Sequence, residues 1–211
     1  MVGATEPIIN ILGERVALGP MRRELLDAYL RWSNELAVLQ NAPVPGPVTH
    51  EAQVARFERT SVADDPIAFT IYVRADQARG APSGNAEAGG AWSPIGTTAL
   101  LGIDWRNGTA EYAILIGEAA ARGRGYGTET TRLMLDYAFT ALGLRSLMLR
   151  VAAYNLAGAA AYRTAGFREF GRRREAVWMG GRFWDTLYME CLAREFVSPV
   201  LGSIFVPDTP R

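Results

Sequence analysis

The segment Arg122-Gly123-Arg124-Gly125-Tyr126-Gly127-Thr128 constrains the interpretation of this chain more than any other part of it. Its three glycines alternate with larger residues, and glycine lets backbone N–H groups turn toward one point and lets a ligand approach the main chain closely. A helix is expected to begin near Thr128, which adds unpaired N–H donors and the positive end of the helix dipole. The segment predicts an anion site suited to a pyrophosphate, and a flexible connection is the alternative interpretation.

The regions flanking this segment predict alternating strands and helices. Before it, two strand-like runs, Ile95 to Trp105 and Ala110 to Gly117, are joined through Asn107-Gly108, a strong hairpin signal. After it we expect a helix from about Thr128 to Leu142, a strand at Ser146 to Ala152, a short helix at Asn155 to Ala165, and a closing hairpin of Phe167 to Met179 with Arg182 to Leu192.

The N-terminal half predicts a strand at Arg15 to Leu18, a helical pattern from Met21 to Leu39, a helix capped by Thr49, and a strand at Phe69 to Val73. We therefore expect one mixed α+β domain over residues 1–211, with its core at 11–196. Residues 76–94 are rich in Gly, Ala, Ser and Pro and are expected to be a flexible surface insertion. Residues 197–211 are expected to be a tail.

Composition excludes several classes of protein. The 22 basic and 22 acidic residues cancel, so the charge that nucleic-acid binding requires is missing and no nucleic-acid partner is expected. All 22 basic residues are arginine, which excludes a Walker-type phosphate loop and a pyridoxal phosphate Schiff base. One cysteine and one histidine cannot build a structural zinc site, and no metal is expected. With no apparent signal peptide or membrane-spanning run, we expect a cytoplasmic protein without a membrane partner.

Two motifs together resemble the GNAT superfamily of N-acetyltransferases. Arg122-x-x-Gly125-x-Gly127 is similar to its Gln/Arg-x-x-Gly-x-Gly/Ala motif, and the run from Asn155 through Tyr162 to Gly166-Phe167 is similar to its second signature. The resemblance spans roughly Ile11 to Phe196. Near its two ends, Gly13-Glu14-Arg15-Val16 and Asp185-Thr186-Leu187-Tyr188-Met189 resemble the branch that acetylates ribosomal-protein N-termini, spermidine and antibiotics. It implies a mostly antiparallel central sheet with helices on both faces and two strands splayed around acetyl-CoA.

The resemblance also implies the cofactor contacts. The pyrophosphate of acetyl-CoA would meet N–H groups of Arg122, Gly123, Arg124, Gly125, Tyr126, Gly127 and Thr128. The backbone of Leu115, Ile116 and Gly117 would pair with the pantetheine and the acetyl oxygen, and Asn155 would flank the thiol end. A helix N-cap is the alternative role for Asn155, and it is compatible with cofactor contact.

Acetyl transfer to an amine requires the removal of a proton from the amine and an acid near the departing thiolate. The resemblance implies that the Tyr162 side chain points at the sulfur, and Tyr162 is therefore expected to be the acid. The alternative is that Tyr162 is an aromatic residue of the core. Glu111 is the candidate base, because the histone-acetylating branch places its catalytic Glu at the same offset, eleven residues before Arg122. A solvated strand-edge Glu, with a chain of waters as the base, is the alternative.

We therefore expect an enzyme that acetylates a primary amine of a small molecule or of a protein N-terminus. A non-catalytic acyl-CoA-binding module is the alternative, and Tyr162 separates the two because binding alone does not need it. A dinucleotide reductase is disfavoured, since no acidic residue follows the glycine loop in the next strand. Trp32, Asn34, Asp104 and Trp105 are candidates for the amine pocket, each with an ordinary packing or turn explanation. The sequence does not identify the amine, and a homodimer stays open.

Overall fold

A computed structural model describes residues 6–41, 46–62, 64–74 and 92–207. Eight strands form one sheet in the order β1-β2-β3-β4-β5-β6-β8-β7, and all neighbours are antiparallel except β5 and β6. The strands are β1 (Ile11–Leu12), β2 (Val16–Pro20), β3 (Ile67–Arg74), β4 (Trp92–Asp104), β5 (Thr109–Ile116), β6 (Ser146–Ala152), β7 (Arg168–Met179) and β8 (Arg182–Leu192).

Five α-helices accompany the sheet in the described part of the chain. They are α1 (Leu26–Asn34), α2 (Leu36–Leu39), α3 (His50–Val62), α4 (Tyr126–Asp136) and α5 (Leu156–Ala165), and α4 continues into a π-helical turn at Tyr137–Ala141. Ile114 and Ile116 of β5 pack on the core that contains α4, whereas Leu115 packs on the cluster formed by α1 and α3. Successive residues of a strand point to opposite faces, so the helices cover both faces of the sheet and confirm the expected α+β architecture.

The first predicted helix and the predicted insertion differ from the structure. The helical pattern of Met21 to Leu39 is interrupted at Glu35, which adopts an extended conformation with φ −77° and ψ 114° and separates α1 from α2. The insertion predicted at 76–94 falls mostly outside the described residues. Its last three residues, Trp92 to Pro94, belong to β4 and pair with β3 next to a β-bulge at Ile71/Tyr72, which accommodates a proline inside the sheet.

The predicted tail is also anchored at its start. The buried carboxylate of Asp136 accepts hydrogen bonds from the Ser198 hydroxyl and from the backbone N–H groups of Val200 and Leu201, at 2.5, 2.9 and 2.8 Å. Leu201 is buried in the main core. The folded unit therefore extends past the boundary at residue 196, because the end of α4 supplies a charged acceptor for the chain that follows β8.

The two parallel strands separate soon after they meet. β5 pairs with β6 only from Thr109–Ser146 to Glu111–Met148, after which β5 continues beside β4 and β6 continues beside β8. The backbone groups that face each other beyond this point are too far apart for ladder hydrogen bonds. A wedge-shaped gap therefore opens between β5 and β6, and the glycine-containing segment follows the open end of β5.

Candidate active site

The glycine-containing segment forms an open loop into the start of α4. Gly123 and Gly125 have φ angles of 72° and 83°, a conformation that favours glycine, and Gly125 precedes the first residue of α4 without a side-chain cap. A Cβ added to Gly123 or Gly127 would meet no described atom within 4 Å. The N-terminal N–H groups of an 11-residue helix therefore lie beside accessible space, which is the arrangement that binds anions.

The Arg122 side chain is engaged within the protein. Its Nε donates to the carbonyl of Ile116 at 3.1 Å, and its Nη2 donates to the carbonyl of Gly117 at 2.8 Å. Nη1 reaches the carbonyl of Ala37 in α2 at 3.3 Å. The guanidinium thus fastens the loop to the end of β5 and to α2. The backbone N–H of Arg122 donates to the carbonyl of Ala119 at 3.2 Å, which corrects the expectation that this N–H meets the pyrophosphate.

The three residues expected to pair with the cofactor through their backbone, Leu115, Ile116 and Gly117, are not equivalent in the structure. The Gly117 N–H donates to the carbonyl of Ile95 at 2.8 Å, while the Gly117 carbonyl accepts from Arg122. Both polar groups of Gly117 are therefore engaged, which corrects the expectation that this residue pairs with the cofactor. Leu115 and Ile116 remain candidates for that pairing.

A clip formed by Arg15 and Glu129 holds the loop from the other side. Glu129, in the first turn of α4, accepts from the backbone N–H groups of Arg15 and Val16 at 2.7 and 3.0 Å and from Arg15 Nε at 3.1 Å. Arg15 Nη1 donates to the carbonyl of Arg124 at 3.0 Å, and its guanidinium lies 5.4 Å from the centre of the Tyr126 ring. This clip was not predicted, because its only local signal in the sequence is an acidic residue in the first turn of a helix beside a glycine loop.

Asn155 is the N-cap of α5. Its Oδ1 accepts from the backbone N–H of Gly158 at 2.9 Å, so the capping interpretation is confirmed. Gly158 allows this close approach, because a Cβ there would lie 2.6 Å from Asn155 Nδ2. The cap fixes the start of the helix that carries Tyr162.

Tyr162 packs beside the point where the gap opens. Its ring lies edge-on to Tyr112, the first residue of β5 beyond its pairing with β6, and is tilted against Phe167, with centroid distances of 6.3 and 6.2 Å. Burial raises the pKa of Tyr162 to about 12. No group in the described part of the chain hydrogen-bonds its hydroxyl. The phenol is therefore protonated at neutral pH and keeps its donor capacity for a bound molecule.

Glu111 occupies the last paired position of β5 and is bound by arginine. Arg150 of β6 donates from Nε to Oε1 at 2.7 Å and from Nη2 to Oε2 at 3.1 Å. This contact places Glu111 in a side-chain clip that joins β5 to β6 where they begin to separate, which favours the alternative of a strand-edge Glu over the general base.

A surface groove of about 520 Å³ lies between α2 and the tip of the β7–β8 hairpin. Its lining includes Asn34, Leu36, Leu39, Gln40, Pro47 and Met179. The Tyr154 hydroxyl donates to the Gln40 carbonyl, and the Tyr154 ring packs edge-on against Trp184 of β8. Because Tyr154 directly precedes Asn155, this contact connects the groove with the start of α5.

Of the other candidates for the amine pocket, Trp32 is fully buried, and Asp104 is the last residue of β4, where it accepts from Asn107 of the turn that follows. Over the described ranges, no group of three or more His, Cys, Asp or Glu side chains is placed to hold a metal ion. Within the same ranges, no helix combines the length and the apolarity that membrane crossing requires.

Solved structures with the same fold include the spermidine N-acetyltransferase from Vibrio cholerae in complex with CoA and spermine. It is 20% identical with a TM-score of 0.74, and the match covers 87% of this chain and 98% of that one. A GNAT-family acetyltransferase from Bacillus anthracis is 17% identical with a TM-score of 0.68, and the match covers 88% of this chain and 99% of that one.

Among curated proteins, the uncharacterized N-acetyltransferase p20 from Bacillus licheniformis is 29% identical over 102 residues. This match covers 48% of the chain and 57% of the relative, so the chain spans little more than half the length of that protein. The family model described as the acetyltransferase (GNAT) domain matches residues 15–168, which include the glycine loop, Glu111 and Tyr162. The chain belongs to the GNAT acetyltransferase domain family.

Proposed function

We propose that this protein is an acetyl-CoA-dependent N-acetyltransferase that acetylates a primary amine of a small molecule or of a protein N-terminus. The observation that carries the proposal is the gap between β5 and β6, which has the open glycine loop after one strand and the Tyr162 ring packed at its narrow end. Acetyl-CoA needs an anion site for its pyrophosphate at one end and a hydrogen-bond donor for its sulfur at the other. The glycine loop is proposed as the anion site and Tyr162 as the donor.

In this proposal the pyrophosphate of acetyl-CoA binds the N–H groups of Gly123 to Thr128. The positive end of α4 favours the anion, and the Arg15–Glu129 clip keeps the loop in place while adding a cation near Gly125. The pantetheine runs along Leu115 and Ile116 of β5, and Asn155 flanks the thiol end. The cofactor supplies the activated acetyl group, and the residues named here bind and orient it.

The reaction joins the amine nitrogen to the acetyl carbon and breaks the bond between that carbon and sulfur. The amine nitrogen gives up one proton to water, and the sulfur leaves as a thiolate that takes a proton back from water to become a thiol. Tyr162 would donate its hydroxyl hydrogen to the sulfur as negative charge develops there. Because a thiol has a pKa of about 8.5 in water, well below that of Tyr162, we assign this residue a charge-stabilising hydrogen bond rather than complete proton transfer.

The relatives support a small amine as acceptor. The Vibrio cholerae protein is a spermidine acetyltransferase by name and was solved with spermine, and the Bacillus licheniformis protein is named an N-acetyltransferase. A non-catalytic acyl-CoA-binding module is the second candidate, but it gives no reason for a protonated phenol with no partner in the described protein.

Calorimetric titration with acetyl-CoA tests the cofactor assignment. Gly125→Val places a β-branched residue at a φ of 83° in the loop, and we expect the folded variant to bind acetyl-CoA at least about 10-fold more weakly. Gly143→Val is the control for backbone strain, because Gly143 has a φ of 69° but follows the far end of the α4 helical segment. A Cβ on Gly143 would meet no described atom within 4 Å, whereas one on Gly125 would lie 3.1 Å from Arg15 Nη2. Unchanged affinity in folded Gly125→Val, or an equal loss in both variants, would refute the site.

A further inference from the structure

The groove beside α2 offers an apolar surface. The polar atoms of Asn34 are engaged with the backbone of Val48, at 2.9 Å for each bond, and Gln40 Nε2 donates to Ala37 at 3.1 Å. The remaining side chains that line the groove are apolar, and Leu36 is 81% exposed. A ligand that fills this space therefore gains most from an apolar body.

Four carboxylates in the described elements that flank the groove and the gap are paired with arginine. Glu35 lies 3.9 Å from Arg122, Glu118 accepts from Arg31 and Trp32, and Glu111 is bound by Arg150. Asp185 of β8 lies 3.5 Å from Arg172. No carboxylate is among the described lining residues of the groove. A ligand with several ammonium groups would lose hydration there without meeting a carboxylate among the described lining residues.

We propose that the acceptor is a primary amine with a single positive charge and an apolar body, and that Leu36, Leu39 and Met179 bind this body. A polyamine is the acceptor that the groove disfavours. The inference rests on the proposed function, since it concerns the amine that enters beside the thioester. The volume of about 520 Å³ suits a small aromatic or branched aliphatic body.

Two probes with a shared primary amine test this inference: 2-phenylethylamine, which has an apolar body, and spermidine, which has three amines. We expect the CoA-saturated protein to bind 2-phenylethylamine at least about 10-fold more tightly than spermidine in calorimetry. With acetyl-CoA, thiol release should show the same preference in kcat/KM. Leu36→Glu should reduce or reverse the preference for 2-phenylethylamine over spermidine, because it places an unpaired carboxylate in the groove without removing a buried residue. Val197→Glu is the matched control, at an 87% exposed site outside the lining, and should leave the ratio unchanged.

The two readouts separate this inference from the proposed function. If 2-phenylethylamine binds more tightly in a manner sensitive to Leu36→Glu but no acetyl transfer occurs, the groove assignment stands and the enzyme assignment fails. If acetyl transfer occurs with spermidine preferred, the enzyme assignment stands and the apolar acceptor is refuted. Equal binding of both amines, or binding unaffected by Leu36→Glu, would also overturn the inference.

Discussion

The indole of Trp32 lies against the main chain of Gly117, so that a Cβ on Gly117 would be only 2.2 Å from Cγ of the ring. Trp32 is fully buried, and its Nε1 donates to Glu118 at 2.9 Å. The contact fixes α1 on the end of β5, directly before the loop that is proposed to bind the pyrophosphate. The same helix leads into α2 and the acceptor groove, so both proposed binding regions depend on this packing.

Gly117→Ala is expected to lower the free energy of unfolding by about 1–3 kcal/mol, because the added methyl group forces the Trp32 ring out of its place. Gly127→Ala is the control, since a Cβ there meets no described atom and the residue is helical. Chemical denaturation of both variants checks the prediction. Equal stability of the two would show that Trp32 can move at no cost.

Asp136→Asn is expected to reduce the free energy of unfolding by about 2–5 kcal/mol. The buried carboxylate accepts from Ser198, Val200 and Leu201, and an amide nitrogen in place of one oxygen would face donors instead of accepting from them. Denaturation monitored by circular dichroism measures the change. A loss below about 0.5 kcal/mol, the range of ordinary surface substitutions, would return residues 197–207 to the status of a loosely held tail.

Glu111→Gln is expected to keep the shape of the pH–rate profile and to change stability by no more than about 1 kcal/mol. Arg150 binds both carboxylate oxygens, and its side chain is 55% exposed, so solvent screens the pair. The measurement is kcat/KM against pH for the variant and the wild type. A loss of about 100-fold near neutral pH that is recovered at high pH would instead identify Glu111 as the general base.

Tyr162 should resist ionisation in the native state. Burial raises its pKa to about 12 from an ordinary value near 10, so the native protein keeps the proton where the unfolded chain releases it. Its contribution to the free energy of unfolding is therefore complete below about pH 10 and is lost as the pH rises through about 12. An absorbance titration of the wild type minus that of Tyr162→Phe should show this phenol less than half ionised at about pH 11. A midpoint near 10 would contradict its burial.

The parts of the fold that local chemistry specifies were predictable from the sequence. Asn107-Gly108 identified the β4–β5 hairpin, and the Asn155 cap and Gly166 placed α5 to within one residue. Pro94 hid the start of β4 from the sequence analysis, because proline normally interrupts a strand; here it lies next to a bulge at Ile95 of β4, which has no partner between Ile71 and Tyr72 of β3. Glu35 interrupts a continuous helical period, which a pattern of apolar residues does not reveal.

The side-chain partners within the site could not be predicted in the same way. Arg15 and Glu129 are 114 positions apart, and Glu111 and Arg150 are 39 apart. Glu111 meets Arg150 because β5 lies beside β6 in the sheet, and Arg15 meets Glu129 because α4 packs beside β2. Tyr162 was identified by a motif, whereas the engaged N–H of Gly117 became apparent only with the register of β4 against β5.

The central claim is that this chain transfers acetyl groups with Tyr162 as the donor to the leaving sulfur. Its most direct test is mass-spectrometric detection of acetylated product from acetyl-CoA and a panel of primary amines and N-terminal peptides, with wild type and Tyr162→Phe compared at equal acetyl-CoA occupancy. We predict product with the wild type and turnover lower by about 10²–10⁴-fold in Tyr162→Phe, with acetyl-CoA affinity retained. A wild type that binds acetyl-CoA but acetylates none of the panel, or a Tyr162→Phe variant with wild-type turnover, would contradict the claim.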